Sequence, residues 1–175
     1  MPGITDQLRA TKPQPELVDR FYGVVEKLKL ENPFHCFQCF KCTSGCTSFR
    51  LTEIMPHAFV NFVRLGFVED MMRSELLWAC CQCLKCKERC PQDVAPVDVI
   101  FLLRRMTVSS GSEIPEDLSK IIMNVTETGF IQGTQTVKVG DTSVDREKLG
   151  LPPLEIPNAE KFRSVLMKAM EEQME

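Results

Sequence analysis

Two stretches of this chain concentrate thiols. "HCFQCFKCTSGC" holds Cys36, Cys39, Cys42 and Cys46, and "WACCQCLKCKERCPQD" holds Cys80, Cys81, Cys83, Cys86 and Cys90. Deprotonated, cysteine is a nucleophile and a soft metal ligand. Cys36, Cys39, Cys42 and Cys46 map onto Cys80, Cys83, Cys86 and Cys90 at one constant offset of 44 residues. Gln38 meets Gln82 and Lys41 meets Lys85 at the same offset, so both runs read C-x-Q-C-x-K-C-x-x-x-C. Duplication of a half-unit is the simplest origin. The offset also sorts the odd total of nine cysteines, because Cys81 aligns with Phe37 and is surplus. A free cysteine defaults to a small buried apolar residue; the alternative is a thiol hydrogen bond towards a neighbouring sulfur.

Three thiolates at two-residue gaps let a tight turn aim three sulfurs into one concavity. A cubane iron–sulfur cluster needs three such ligands and a fourth from elsewhere, and in the bacterial-type run the fourth cysteine serves the other cluster of the pair. Two runs satisfy that rule reciprocally. The first [4Fe-4S] cluster is then expected on Cys36, Cys39, Cys42 and Cys90, and the second on Cys80, Cys83, Cys86 and Cys46. Zinc would want two C-x2-C pairs separated by a longer loop. Disulfides suit neither the spacing nor a reducing compartment. Cys90 is followed by Pro91, as the bacterial run expects, whereas Cys46 is followed by Thr47. The adjoining Lys41, Lys85, Lys87 and Arg89 read either as charges that offset an anionic cluster or dock an acidic partner, or as solvated surface. Phe37, Phe40 and Leu84 lie between ligands, where they would exclude water. His35 and His57 read as packing or surface residues, since eight cysteines already complete both clusters.

The chain has 175 residues and a net charge of −3, which does not suggest a nucleic-acid binder. "MPGITDQLRATKPQPELVD" has no apolar core and reads as no secretory signal. The apolar stretch "VDVIFLLRRM" is too short to span a bilayer. The expected compartment is the cytoplasm, where clustered thiols point to metal or redox chemistry. No Gly-rich phosphate loop suggests a bound nucleotide or flavin, and no Ser–His–acid set suggests hydrolysis, so no catalytic residue is assigned.

The elements that must position these thiols read mainly as helix. Apolar residues recur at helical spacing over 15–30, after Pro15. Pro56 opens and Gly66 closes a second helix. Ser74 reads as the N-cap of a third. Residues 96–106 start with proline and are apolar on most sides, so they are expected to be buried. Residues 115–129 form another helix with Gly129 as its cap. Residues 130–157 lose periodicity and read as an extended arm, with a short strand or hairpin around 134–139. A final amphipathic helix, 158–175, takes Asn158 as its N-cap. Helices between the runs distinguish this pattern from small β-rich ferredoxins. The expected fold is all-α: an α-helical ferredoxin domain over 31–112, preceded by an N-terminal arm and helix (1–30) and followed by a helix, extended arm and C-terminal helix (113–175) that dock partner subunits.

The sequence resembles the iron–sulfur electron-transfer (C-type) subunit of heterodisulfide reductase. "CFQCFKCTSGC", "LWACCQCLKCKERCP", "VDVI", "VTETGF" and "LGLPPLEIPNAEKF" carry the resemblance, over roughly residues 30–170. It implies a protein that relays electrons through two [4Fe-4S] clusters, from the flavoprotein of the heterodisulfide reductase complex to its CCG-domain protein. In the family, the CCG-domain protein reduces the CoM-S-S-CoB heterodisulfide of methanogenesis, and flavin-based electron bifurcation on the flavoprotein couples this to ferredoxin reduction. A hydrogenase or formate dehydrogenase module is a further expected partner. This chain has only "CCQ" at 80–82 and so lacks the apparatus to reduce a disulfide itself. The alternatives are an iron–sulfur adaptor of a related sulfur-metabolism or other anaerobic complex, and a zinc-stabilised interaction module.

Overall fold

The computed structural model describes residues 13–133 and 135–172. Most of the expected N-terminal arm lies outside the described residues. The chain forms two compact units, Met1–Glu113 and Ile114–Glu175. Both are helical, and a two-stranded hairpin is the only sheet among the described residues.

In the first unit, α1 (Pro15–Lys27) starts at a proline whose missing N–H is no loss in the first turn, and it buries Phe21 and Val25. The short helices α2 (Lys41–Ser44) and α5 (Lys85–Glu88) lie inside the two cysteine runs. Between them are α3 (Pro56–Arg64) and α4 (Val68–Arg73). The central element is α6 (Pro96–Ser109), which buries Val97, Val99, Ile100, Leu102, Leu103 and Met106. It packs against α1, α3, α4 and α5, so its near-continuous apolar surface is used on several sides. Phe21, Ile54, Phe59, Val60, Val63, Ile100 and Leu103 are fully inaccessible and form the centre of the core.

The helix expected from Ser74 does not form. Glu75–Ala79 is a 3-10 turn, and the Ser74 side chain caps nothing. The reason lies at its exit, where Cys80 is extended at ψ 117°. An α-helix running into the cysteines would wrap them around its axis instead of delivering them into a loop. Cys36 has the same extended backbone, ψ 120°, after a 3-10 turn over Pro33–His35.

In the second unit, α7 (Glu116–Thr128) ends where Gly129 takes φ 75°, a conformation that costs glycine little. A hairpin follows, β1 (Val137–Val139) against β2 (Thr142–Val144), with Val139 opposite Thr142. It extends further along the chain than expected, because Gly140 at φ 61° closes a two-residue turn that places a second strand after it. The last helix, α8 (Ala159–Glu172), is capped by Asn158, whose Oδ1 accepts the Lys161 N–H at 3.0 Å. Arg163 ties α8 to α7 by donating to the Thr126 and Glu127 carbonyls at 3.2 and 2.8 Å. Neither helix of this unit buries a residue.

Phe21→Ala removes a fully buried ring through which α1 joins the core. It should cost about 3–5 kcal/mol, read as a lowered denaturation midpoint under anaerobic conditions. Leu51→Ala, at a site 79% exposed, should change the midpoint little.

Candidate metal centre

The two runs share an unusual backbone. Gln38 and Phe40 adopt φ 54° and 64°, and their repeat partners Gln82 and Leu84 adopt 57° and 61°. Non-glycine residues seldom enter the left-handed region, and a bulky one there is a true outlier. Left-handed residues at alternate positions curl each run, a backbone pattern that can aim N–H groups at one anionic site. The N–H groups of Gln82, Lys85 and Val97 hydrogen-bond the sulfurs of Cys80, Cys83 and Cys86. Phe40 and Leu84 then start α2 and α5 alike: the Phe40 carbonyl accepts from Thr43 N and Ser44 N, and the Leu84 carbonyl from Lys87 N and Glu88 N.

Cys36, Cys39, Cys42 and Cys90 line one small cavity, of about 20 Å³, together with Phe37, His57 and Pro91. Three of these thiols come from the first run and the fourth from the second. Cys46, the remaining thiol of the first run, is instead within electrostatic reach of Cys80 and Cys86. Cys83 joins that side, with its Sγ 3.7 Å from the hydroxyl of Thr47, the residue after Cys46. Cys42 and Cys86 are buried beside Val97, where α2 meets α5. Gly45 lies under the Arg89 guanidinium, and a Cβ there would collide with it. Among the described residues no group of three or more His, Cys, Asp or Glu could hold a metal ion directly. Thiols standing around a cavity suit a multi-atom cluster better than a single ion.

As free thiols, the three most deeply set of these groups resist ionisation. Burial pushes Cys86 up to about 12 and raises Cys42 and Cys80 as well. Cys83 shifts the other way, held down at about 7 by the Lys85 backbone N–H and by Thr47. Buried thiolates therefore call for a compensating cationic charge, which iron supplies. All-cysteine donors, N–H groups on the sulfurs and a cavity together fit [4Fe-4S] clusters.

The repeat extends beyond the cysteines, in a way the fixed 44-residue offset hides. Pro56 and Arg64 of α3 correspond to Pro96 and Arg104 of α6 at an offset of 40. The Arg64 Nη1 donates to the Cys36 carbonyl at 2.9 Å, and the Arg104 Nη2 donates to the Cys80 carbonyl at 2.9 Å. Arg64 also stacks over Phe34 at 5.8 Å and Arg104 over Trp78 at 5.3 Å; Phe34 and Trp78 are themselves repeat partners. Each run thus begins with its first cysteine pinned by an arginine that an aromatic ring holds flat. The two pins differ in one respect. Arg104 Nε donates to the Leu77 carbonyl at 3.0 Å, whereas Arg64 Nε is buried without a partner.

Other expectations meet mixed outcomes. His57 is buried, stacks on Phe40 at 3.9 Å between centroids, and has Nδ1 2.7 Å from Thr43 Oγ1. Burial lowers its pKa, so it stays neutral. His35 is exposed beside Glu31. Lys87 pairs with Asp98 at 3.0 Å and Lys85 donates to Thr47 at 3.2 Å. Phe37, Phe40 and Leu84 do not shut water out within this chain; all three stand exposed, Phe37 by 71%. Cys81 is not buried either. It is exposed, because its run is held out by Ser48, whose hydroxyl accepts the Cys81 N–H at 3.1 Å. Its thiol is within interaction range of Cys83.

Residues 35–95 match the family model described as a 4Fe-4S dicluster domain. The chain is 33% identical over 96 residues to the C-type iron–sulfur subunit of the CoB–CoM heterodisulfide reductase of Methanopyrus kandleri, covering 55% of this chain and 48% of that protein. It is 35% identical over 81 residues to the C-type subunit of the H2:CoB–CoM heterodisulfide,ferredoxin reductase of Methanothermobacter thermautotrophicus, covering 46% and 44%. It is 30% identical over 119 residues to the C-type subunit of the ferredoxin:CoB–CoM heterodisulfide reductase of Methanosarcina mazei, covering 68% and 70%. The chain thus spans less than half the length of the first two relatives.

The arginine pins make a graded prediction. Arg104→Met abandons two carbonyls and Arg64→Met one, at about 1–3 kcal/mol per buried group left unpaired. In anaerobic denaturant titrations, Arg104→Met should lower the midpoint further. Equal or reversed losses would show that the carbonyl bonds are not what these arginines contribute.

Proposed function

The chain belongs to the family of C-type iron–sulfur subunits of heterodisulfide reductases, and on that premise we propose that it is an electron-transfer subunit carrying two [4Fe-4S] clusters. The first would be held by Cys36, Cys39, Cys42 and Cys90, and the second by Cys80, Cys83, Cys86 and Cys46. The observation that carries this reading is the cavity lined by three thiols of one run and the fourth of the other. Bound there, such clusters supply reversible one-electron transfer.

The chain's own residues do the rest. Arg64 and Arg104 fix the first cysteine of each run and bring positive charge towards an anionic ligand set. The N–H groups of Gln82, Lys85 and Val97 spread charge from the sulfurs of the second run. In the complex, electrons come from the flavoprotein and leave to the CCG-domain protein, which reduces the disulfide; this chain contributes no catalytic residue. The CoB–CoM heterodisulfide in the relatives' names is the proposed terminal substrate. The exposed Phe37, Phe40 and Leu84 around the thiols suit a partner face that completes water exclusion. The second unit, with Met123, Ile131, Val165 and Met167 exposed, suits a docking arm for the same assembly. No helix among the described residues is long and apolar enough to cross a membrane, and we place the protein in the cytoplasm.

Anaerobically purified protein should contain iron and inorganic sulfide in equal amounts, without zinc, and should co-purify with a flavoprotein and a CCG-domain protein. Cys90→Ser should perturb the paramagnetic resonance of the first reduced cluster, and Cys46→Ser that of the second. If Cys90→Ser disturbs only the second, the crossed ligation is wrong.

A further inference from the structure

The two half-units agree closely along the backbone, yet their side chains differ around one pair of equivalent sulfurs, Cys39 and Cys83. Around Cys39 the first cavity is lined by Phe37 and Pro91. At the 44-residue offset, Phe37 becomes Cys81 and Pro91 exchanges with Thr47. Phenyl and prolyl rings cannot donate a hydrogen bond, whereas a thiol and a hydroxyl can. Thr47 Oγ1 stands 3.7 Å from the Cys83 sulfur, and the Cys81 thiol is within interaction range of it.

The direction of the Thr47 bond follows from its other partner. Lys85 Nζ donates to Thr47 Oγ1 at 3.2 Å. That bond engages a lone pair of the hydroxyl and leaves its proton free. A free Cys83 thiol donates its own proton to the hydroxyl; a metal-bound Cys83 thiolate has none, so Thr47 donates to sulfur. Lys85 then polarises the hydroxyl and strengthens the bond. Lys41, the repeat partner of Lys85, faces a proline in the equivalent place and has no hydroxyl to polarise. The first run has side-chain partners on other sulfurs, Gln38 Nε2 at 3.2 Å from Cys36 Sγ and Thr43 Oγ1 at 4.0 Å from Cys42 Sγ, but none is placed on Cys39 by the residues equivalent to Thr47 and Cys81.

We propose that Thr47, polarised by Lys85, and Cys81 donate hydrogen bonds to the Cys83 thiolate and raise the reduction potential of the second cluster alone, making two near-identical half-units unequal in redox terms. Donors to a ligand sulfur withdraw charge and favour the more negative, reduced state. The inference rests on the reading that Cys83 ligates a [4Fe-4S] cluster.

The test is a redox titration of the intact, cluster-loaded protein, following the paramagnetic signals of both reduced clusters, with iron content measured on each sample. Thr47→Val and Cys81→Ala should each lower the midpoint of the second cluster and leave the first in place, and the double variant should lower it further. Thr47→Ser and Cys81→Ser keep a donor and should hold the wild-type midpoint. Cys81 is exposed, so its substitution tests the idea even if Thr47→Val loses iron. Full iron with an unmoved second midpoint in Cys81→Ala and Thr47→Val, or equal shifts in both clusters, overturns the inference and leaves the cluster reading standing. Wild-type protein without iron overturns both.

Discussion

The constraint on which the molecule turns is the left-handed backbone inside each cysteine run. Gln38, Phe40, Gln82 and Leu84 all occupy it, at a cost of about 1–3 kcal/mol apiece. Glycine would be easier, but glycine has no side chain to hold the bend. Here the side chains do so in the first run: the Gln38 amide meets Cys36 Sγ and the His57 carbonyl, and the Phe40 ring lies on His57. The arginines pin the carbonyls where each run begins, and the helices behind them form one core. A strained loop persists only where its surroundings over-determine it, and this domain is largely the set of surroundings that does so for two loops.

Duplication explains why the core is shared. The loops meet through α2 and α5, which bury Cys42 and Cys86 together with Val97. Val60, Val63, Ile100 and Leu103 are buried at equivalent places on α3 and α6. Neither half closes a core alone, and under the proposed ligation neither half completes a cluster alone. Under that ligation, exchange of the fourth thiol would make the proximity of the two clusters a consequence of chain connectivity rather than of docking. That is the property wanted of a protein whose proposed task is to pass single electrons onward.

The thiol runs and their repeat were legible because spacing survives in a string of letters. The main helices of the first unit were legible from apolar periodicity and from Pro15, Pro56 and Pro96. The arginine pins were not, since the connector from Cys90 to Pro96 is four residues shorter than that from Cys46 to Pro56. A comparison at one fixed offset misses Arg64 and Arg104; allowing one gap recovers them. The exposure of Cys81 was illegible for another reason: composition makes cysteine a core residue, whereas the extended run around it leaves no core to enter. The hairpin was only half visible because its second strand, Thr-Ser-Val, is short and polar.

An exact duplicate would give a pair of clusters with no preferred resting place for an electron. Whatever polarity the proposed relay has must come from the places where the copies disagree, and these are few. One is the donor set on Cys83. Another lies at the start of α3 and α6, where His57 lines the first cavity and its repeat partner Val97 is buried beside Cys42 and Cys86. Burial keeps His57 neutral, so it adds a dipole to the first half without adding charge. Its Nδ1 is engaged by Thr43, which fixes the ring and hence the direction of that dipole. The second half has an isopropyl group there, and its polar contacts are gathered instead at Cys83, on an exposed edge of the run. The copies are therefore inequivalent in kind: the first set of thiols is flanked from within by a fixed neutral ring, the second from its exposed edge by groups that an incoming partner can cover.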